Sequence, residues 1–212
     1  KYLQNVTYNE THKLLKNSKN IECLQNKDGC VFNKNSNKKV FLIGDSHAAS
    51  IGFDLKNNLI KKNYKLITSL MGDCGFFPDF DLIDIKFQQI DTHCNKNYFK
   101  NLQEKLMKNK NSIIIFSAKM PLYINNLEFD ISKGNSQIKW KKAYISENKR
   151  ITIQKSFKNL ISSLSKENKI ILIYPIPEMG VNISRKLLNE HLSNKFNLKK
   201  NNIDNQNFNV PF

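Results

Sequence analysis

An apolar run that ends in Gly-Asp-Ser and continues at helical spacing leaves this chain few architectures. Val40, Phe41, Leu42 and Ile43 are apolar without alternation, which is the pattern of a parallel strand covered on both faces. Gly44 allows the backbone to turn sharply after them. Ala48, Ile51, Leu55 and Leu59 then recur at the spacing of one helix face. Ser46 therefore falls at the carboxyl end of the first strand and the amino end of the first helix. In an open α/β sheet ligands bind at that edge, where the free N–H groups and dipole of the helix favour negative charge. A serine at such a junction is also a favoured helix N-cap.

The same alternation continues along the chain. Residues 64–70 read as a second strand, and 71–78, with two glycines and a proline, as a loop that brings Gly72 to the same edge of the sheet. Tyr98, Leu102 and Leu106 mark a second helix. Residues 112–117 form a buried strand, 147–167 a helix, and 169–174 a fourth strand ended by Pro175 and Pro177. Strands alternating with helices predict an α/β fold with a parallel, doubly wound sheet, three layers deep and flavodoxin-like. Its strand order 2-1-3-4-5 puts the switch point between the first and third strands, beside Ser46. No fifth strand is evident after residue 180. Residues 1–38 lack a period and read as an extended lead-in, leaving 39–212 as the domain. The long stretch 118–146 carries Tyr123, Phe129, Trp140 and Tyr144. It reads either as a lid or glycan-binding surface, or as aromatic side chains covering a core edge.

A chain of 212 residues supplies one sizeable domain. Lysine and arginine number 34 against 18 acidic residues, for a formal net charge of +16. The lysines are spread along the chain among asparagines and form no nucleic-acid motif, so they read as solvated faces, and nucleic acid is not an expected partner. No run approaches the eighteen apolar residues of a membrane span, and the start has no signal-peptide pattern. The sequence opens at Lys1, as expected of an excised or processed piece. Cys23, Cys30, Cys74 and Cys94 allow three connectivities, of which pairing of neighbours is the simplest. Disulfides would indicate an oxidising compartment. Zinc lacks its short cysteine spacing here, with His93 a single extra ligand, and no metal or cofactor is expected.

Gly44-Asp45-Ser46-His47-Ala48 resembles the first block of the SGNH (GDSL-like) hydrolase superfamily, in the form found in SGNH domains joined to acyltransferase-3 membrane proteins. Cys23 and Cys30 upstream, Gly72-Asp73-Cys74 after the second strand and Tyr174-Pro175-Ile176-Pro177-Glu178 after the fourth fall where that family has similar features. The resemblance spans roughly residues 20–185. It implies that Ser46 is the nucleophile and that the N–H groups of Ser46 and Gly72 are oxyanion donors, a role suited to glycine because no Cβ blocks the approach. It also implies that residues 1–38 link a membrane helix to the domain.

Two family blocks are not matched. Where the family has G-x-N-D, this chain reads Ser117-Ala118-Lys119-Met120, with Lys119 either a replacement donor or a surface lysine. The late D-x-x-H block supplies the base that activates serine. Here the only late histidine, His191, has Leu188 at the aspartate position, so we expect it on a surface helix and the true block beyond Phe212, with part of the fold. Asp45 is expected to fix the turn through backbone hydrogen bonds, and His47 to belong to that turn; His12 and His93 are unassigned.

The resemblance thus implies an extracytoplasmic, periplasmic domain of a membrane-tethered O-acyltransferase. A membrane domain would deliver an acyl group, usually acetyl, and Ser46 would pass it to a hydroxyl of a cell-surface polysaccharide. With water as acceptor the same site is a carbohydrate esterase. A rival of another class is a non-catalytic glycan-binding domain that positions the acceptor.

Overall fold

The computed structural model describes residues 14–130 and 136–174. In chain order its elements are β1 (Val31–Phe32), β2 (Lys39–Gly44), α1 (Ser46–Lys61), β3 (Lys65–Leu70), β4 (Asp81–Asp84), β5 (Gln89–Ile90), α2 (Lys96–Lys108), β6 (Ile113–Ser117), α3 (Met120–Asn125), β7 (Leu127–Asp130), β8 (Ser136–Lys139), β9 (Lys142–Ile145), α4 (Ile153–Leu164) and β10 (Lys169–Ile173).

The main sheet runs β1-β3-β2-β6-β10. Strands β3, β2, β6 and β10 are parallel in the order 2-1-3-4 expected from the sequence, and β1 adds antiparallel to the outer side of β3. Both faces of β2 are covered, which is why its apolar run does not alternate. Phe41 and Ile43 join a cluster with Ile114, Phe116, Phe99 and Leu102 of α2, and Leu160 and Leu164 of α4. Val40 and Leu42 join a second cluster with Leu66, Leu70 and Ala48, against which Ile51, Leu55 and Leu59 of α1 pack. The result is a three-layer α/β/α arrangement with the switch point between β2 and β6.

Residues 14–38, expected as part of an extended lead-in, contribute to this same core. Leu15, Cys23 and Cys30 are buried in the second cluster, and β1 pairs with β3 through only two residues, too few to leave a sequence period. Helix α4 is shorter than the expected 147–167 because Thr152 ends the preceding coil as N-cap, its hydroxyl accepting the Lys155 N–H at 3.2 Å. In the 118–146 stretch Tyr123 and Trp140 are buried in the first cluster and Tyr144 packs against it. The core-edge reading therefore holds for these aromatics; the Phe129 side chain lies outside what the structure describes. The stretch also forms a β7–β8 hairpin and a strand, β9, of a small antiparallel sheet β5-β4-β9.

Both disulfides join sequence neighbours, Cys23–Cys30 and Cys74–Cys94, with Cα atoms 5.6 and 5.8 Å apart. Closing a loop restricts the unfolded chain more as the loop lengthens. Cys74–Cys94, at a separation of 20, should contribute about 3 kcal/mol, and Cys23–Cys30, at a separation of 7, about 2.5 kcal/mol. Urea denaturation of the Cys74→Ser/Cys94→Ser protein tests the larger value. A loss below about 1 kcal/mol would mean that packing alone holds this loop.

Candidate active site

At the end of β2 the chain passes so close to β6 that only glycine fits. Gly44 has φ +147°, and a Cβ there would lie 1.7 Å from the Ser117 carbonyl oxygen. Its own carbonyl accepts the Met71 N–H at 2.9 Å, which ties the end of β2 to the loop that carries Gly72.

Asp45 follows, almost fully buried. Its Oδ1 accepts the His47 N–H at 2.8 Å, and its Oδ2 accepts the Lys119 N–H at 2.8 Å and the Tyr123 O–H at 2.5 Å. Asp45 rather than Ser46 is therefore the N-cap of α1. The reading of Ser46 as a mere cap does not hold, and the expectation that Asp45 fixes the turn does. The carboxylate also reaches further than the turn, because it fastens the strand–helix junction to the segment after β6. Burial, and then the adjacent Asp45 carboxylate, push the Tyr123 hydroxyl far above its ordinary value, so it stays a donor at any physiological pH.

Ser46 is the first residue of α1 and is exposed. Its hydroxyl makes no hydrogen bond among the described residues, and the N–H groups of Ser46 and Gly72 have no acceptor there. His47 is half-buried, and its Nδ1 is enclosed without a partner among the described residues. Gly72 lies just past the last residue of β3, with the Gln25 side chain against it: a Cβ on Gly72 would be 3.1 Å from Gln25 Nε2. The loop beyond is pinned from two sides. Tyr144 Oη accepts the Gly75 N–H at 2.7 Å, and the Cys74–Cys94 bridge clamps the neighbouring residue. Burial holds the Tyr144 hydroxyl well above its usual value, so it too remains protonated.

At the position of the absent G-x-N-D block, the Lys119 backbone N–H is spent on Asp45. An apolar pocket of about 280 Å³ opens beside Gly44 between the ends of β2, β6 and β10, with Ile43, Phe116, Met120, Ile124 and Leu172 in its wall. His12, His191 and residues 175–212 lie outside the described residues. Tyr123 is the site residue that sequence reasoning missed. Its partner Asp45 is 78 positions away, and no local pattern reports such a contact.

No helix among the described residues is long and apolar enough to cross a membrane. No curated protein and no solved structure shows significant similarity to the chain. The family model described as the SGNH domain (fused to AT3 domains) matches residues 15–211, nearly the whole sequence and wider than the stretch over which the motifs alone carry the resemblance. With the parallel sheet and the Gly-Asp-Ser junction at its switch point, that match shows that the chain belongs to the SGNH domain family whose members are fused to acyltransferase-3 domains.

Proposed function

We propose that this is the extracytoplasmic SGNH domain of an O-acyltransferase, in which Ser46 carries an acyl group, acetyl in the simplest case, to a hydroxyl of a cell-surface polysaccharide. The observation that carries the reading is the state of Ser46. It is exposed at the first turn of α1, relieved of the capping role by Asp45, and at the edge of the sheet from which Gly72 also emerges. In the first step Ser46 Oγ attacks the acyl carbonyl of the donor, an ester forms, and the leaving group departs with a proton. In the second, a sugar hydroxyl attacks that ester and Ser46 recovers its proton. Each tetrahedral oxyanion is to be held by the Ser46 and Gly72 N–H groups, and the apolar pocket beside Gly44 is suited to the acyl chain. A serine hydroxyl needs a base to act at neutral pH, and His191 is the late histidine to test for that role. The two disulfides and the family's link to membrane acyltransferase domains support an oxidising, extracytoplasmic setting.

Intact-mass analysis after treatment with a fluorophosphonate tests the chemistry. One adduct is expected on the protein, none on Ser46→Ala, and much slower labelling on His191→Ala if that histidine is the base. Failure to label both in this chain and in one extended past Phe212 would remove the serine-enzyme reading and leave the glycan-binding domain as the alternative.

A further inference from the structure

A second concavity lies on the α2 side of the sheet, a cleft of about 450 Å³. One wall is a stripe on α2, where Asn97, Asn101 and Lys105 follow each other at intervals of four and so share a face. Lys27, from the loop closed by the Cys23–Cys30 bridge, also lines the cleft. The lining also includes the Ser69–Tyr98 pair, whose hydroxyls are 2.9 Å apart. His93, next to Cys94 of the second disulfide, is a further lining residue.

The chemistry of this lining is one-sided. None of its described residues is acidic. The nearby carboxylate, Asp91, is already engaged: its Oδ1 accepts the His93 and Cys94 N–H groups, and its Oδ2 pairs with Lys142 at 3.2 Å. The His93 ring has Asp91 Oδ1 at 3.9 Å, whereas the two ammonium groups of the lining, Lys27 and Lys105, pair with no carboxylate among the described residues. The side-chain amides of Asn97 and Asn101 have no partner among the described residues, and each offers both donors and an acceptor. In the Ser69–Tyr98 pair one mutual hydrogen bond uses one of two hydroxyl protons, so one donor is left for a ligand. Burial pushes the Tyr98 hydroxyl up, which keeps that proton in place. From Asn97 to Lys105 the stripe runs about 12 Å along the helix, long enough for a disaccharide.

The cleft also adjoins the candidate active site. Ser69 is the next-to-last residue of β3, and Gly72 follows shortly after it. The disulfide loop that supplies Lys27 also supplies Gln25, which rests against Gly72 and whose N–H binds the Leu70 carbonyl at 2.9 Å. A chain held in the cleft would lie beside the loop that carries Gly72.

We propose that this cleft binds an acidic oligosaccharide, a sugar chain bearing carboxylate or phosphate groups, as the acceptor subsite of the domain; its role as acceptor subsite rests on the acyl-transfer reading above. Lys27 and Lys105 take the anionic groups, and Asn97, Asn101, His93 and the Ser69–Tyr98 pair take the hydroxyls.

Calorimetric titration at physiological salt tests this, with an oligogalacturonate as the carboxylate probe, a phosphorylated oligosaccharide as the phosphate probe, and dextran oligosaccharide and inorganic phosphate as controls. Binding of at least one acidic chain is expected, at least tenfold tighter than either control. Lys27→Gln/Lys105→Gln should weaken it at least tenfold. The pair Lys61→Gln/Lys62→Gln, the same loss of charge at the far end of α1, should change it less than twofold. Equal losses in the two pairs would mean attraction to net charge alone and would overturn the proposal. So would inorganic phosphate or dextran binding as well as the acidic chains, or no binding at all. Fluorophosphonate labelling separates the two readings. Glycan binding without labelling of this chain or the extended one sinks the acyl transfer and keeps the cleft, whereas labelling without glycan binding does the reverse.

Discussion

Gly44→Ala should cost the domain about 4 kcal/mol or more, from the sum of a strained backbone and a steric overlap in the core. Two separate penalties meet at this position. At φ +147° an L side chain is held in a region that costs on the order of 1–3 kcal/mol. The added methyl would then sit 1.7 Å from the Ser117 carbonyl oxygen, a distance no contact tolerates, so β2 or β6 must move. These two strands are paired along five positions, and Ile43 and Phe116 sit directly opposite each other in the core. A shift large enough to relieve the overlap would therefore open the sheet at its centre. Urea denaturation is the measurement. A variant that unfolds within about 1 kcal/mol of the parent would mean that the strands separate easily here, and the close approach would lose its structural meaning.

The second large effect is expected at Asp45. Asp45→Ala removes the acceptor of three hydrogen bonds, two from backbone N–H groups and one from Tyr123. A hydrogen bond to a charged group contributes about 1.5–3 kcal/mol, and the losses at one network do not add in full. A total of roughly 3–5 kcal/mol is expected, with a frayed first turn of α1. Tyr123→Phe takes away one donor and leaves two, so it should cost about 1.5–3 kcal/mol. If the hydroxyl acts through Asp45, the double variant will lose clearly less than the sum of the single losses. Strict additivity would show that the two side chains do not cooperate. Labelling of Ser46 supplies a second readout, since a loosened junction should slow the reaction of any Tyr123→Phe protein that remains folded.

Much of this was legible from local pattern. The β2 run, the helix after Ser46 and the order of the parallel strands all follow from features a few residues long: an unbroken apolar stretch, a recurrence of three or four, a glycine at a junction. Both disulfides joined neighbours, which short separations make simplest. The elements that were not legible are held by distant partners. Strand β1 exists because the edge of β3 is there to receive it, and β9 because β4 lies opposite. The aromatics of 118–146 allowed two opposite readings, since an exposed platform and a buried core edge draw on the same residues; the packing of Tyr123 and Trp140 in the first cluster selects one. Of the candidate site, the sheet-edge positions of Ser46 and Gly72 were legible from turn-forming glycines beside apolar runs. Of the Asp45 network only the turn contact to His47 was legible, because the other two donors, from Lys119 and Tyr123, come from after β6.

That separation also bears on the order of folding. The two bonds from Asp45 to the Lys119 and Tyr123 segment span 74 and 78 residues, and contacts so distant form only after the intervening chain has condensed. While a ribosome has delivered the chain only as far as α2, the junction that presents Ser46 lacks two of the three donors that fix it. The turn that carries Ser46 is thus among the last parts to take its final shape, and a partly made chain holds that serine on a junction still waiting for most of its hydrogen bonds.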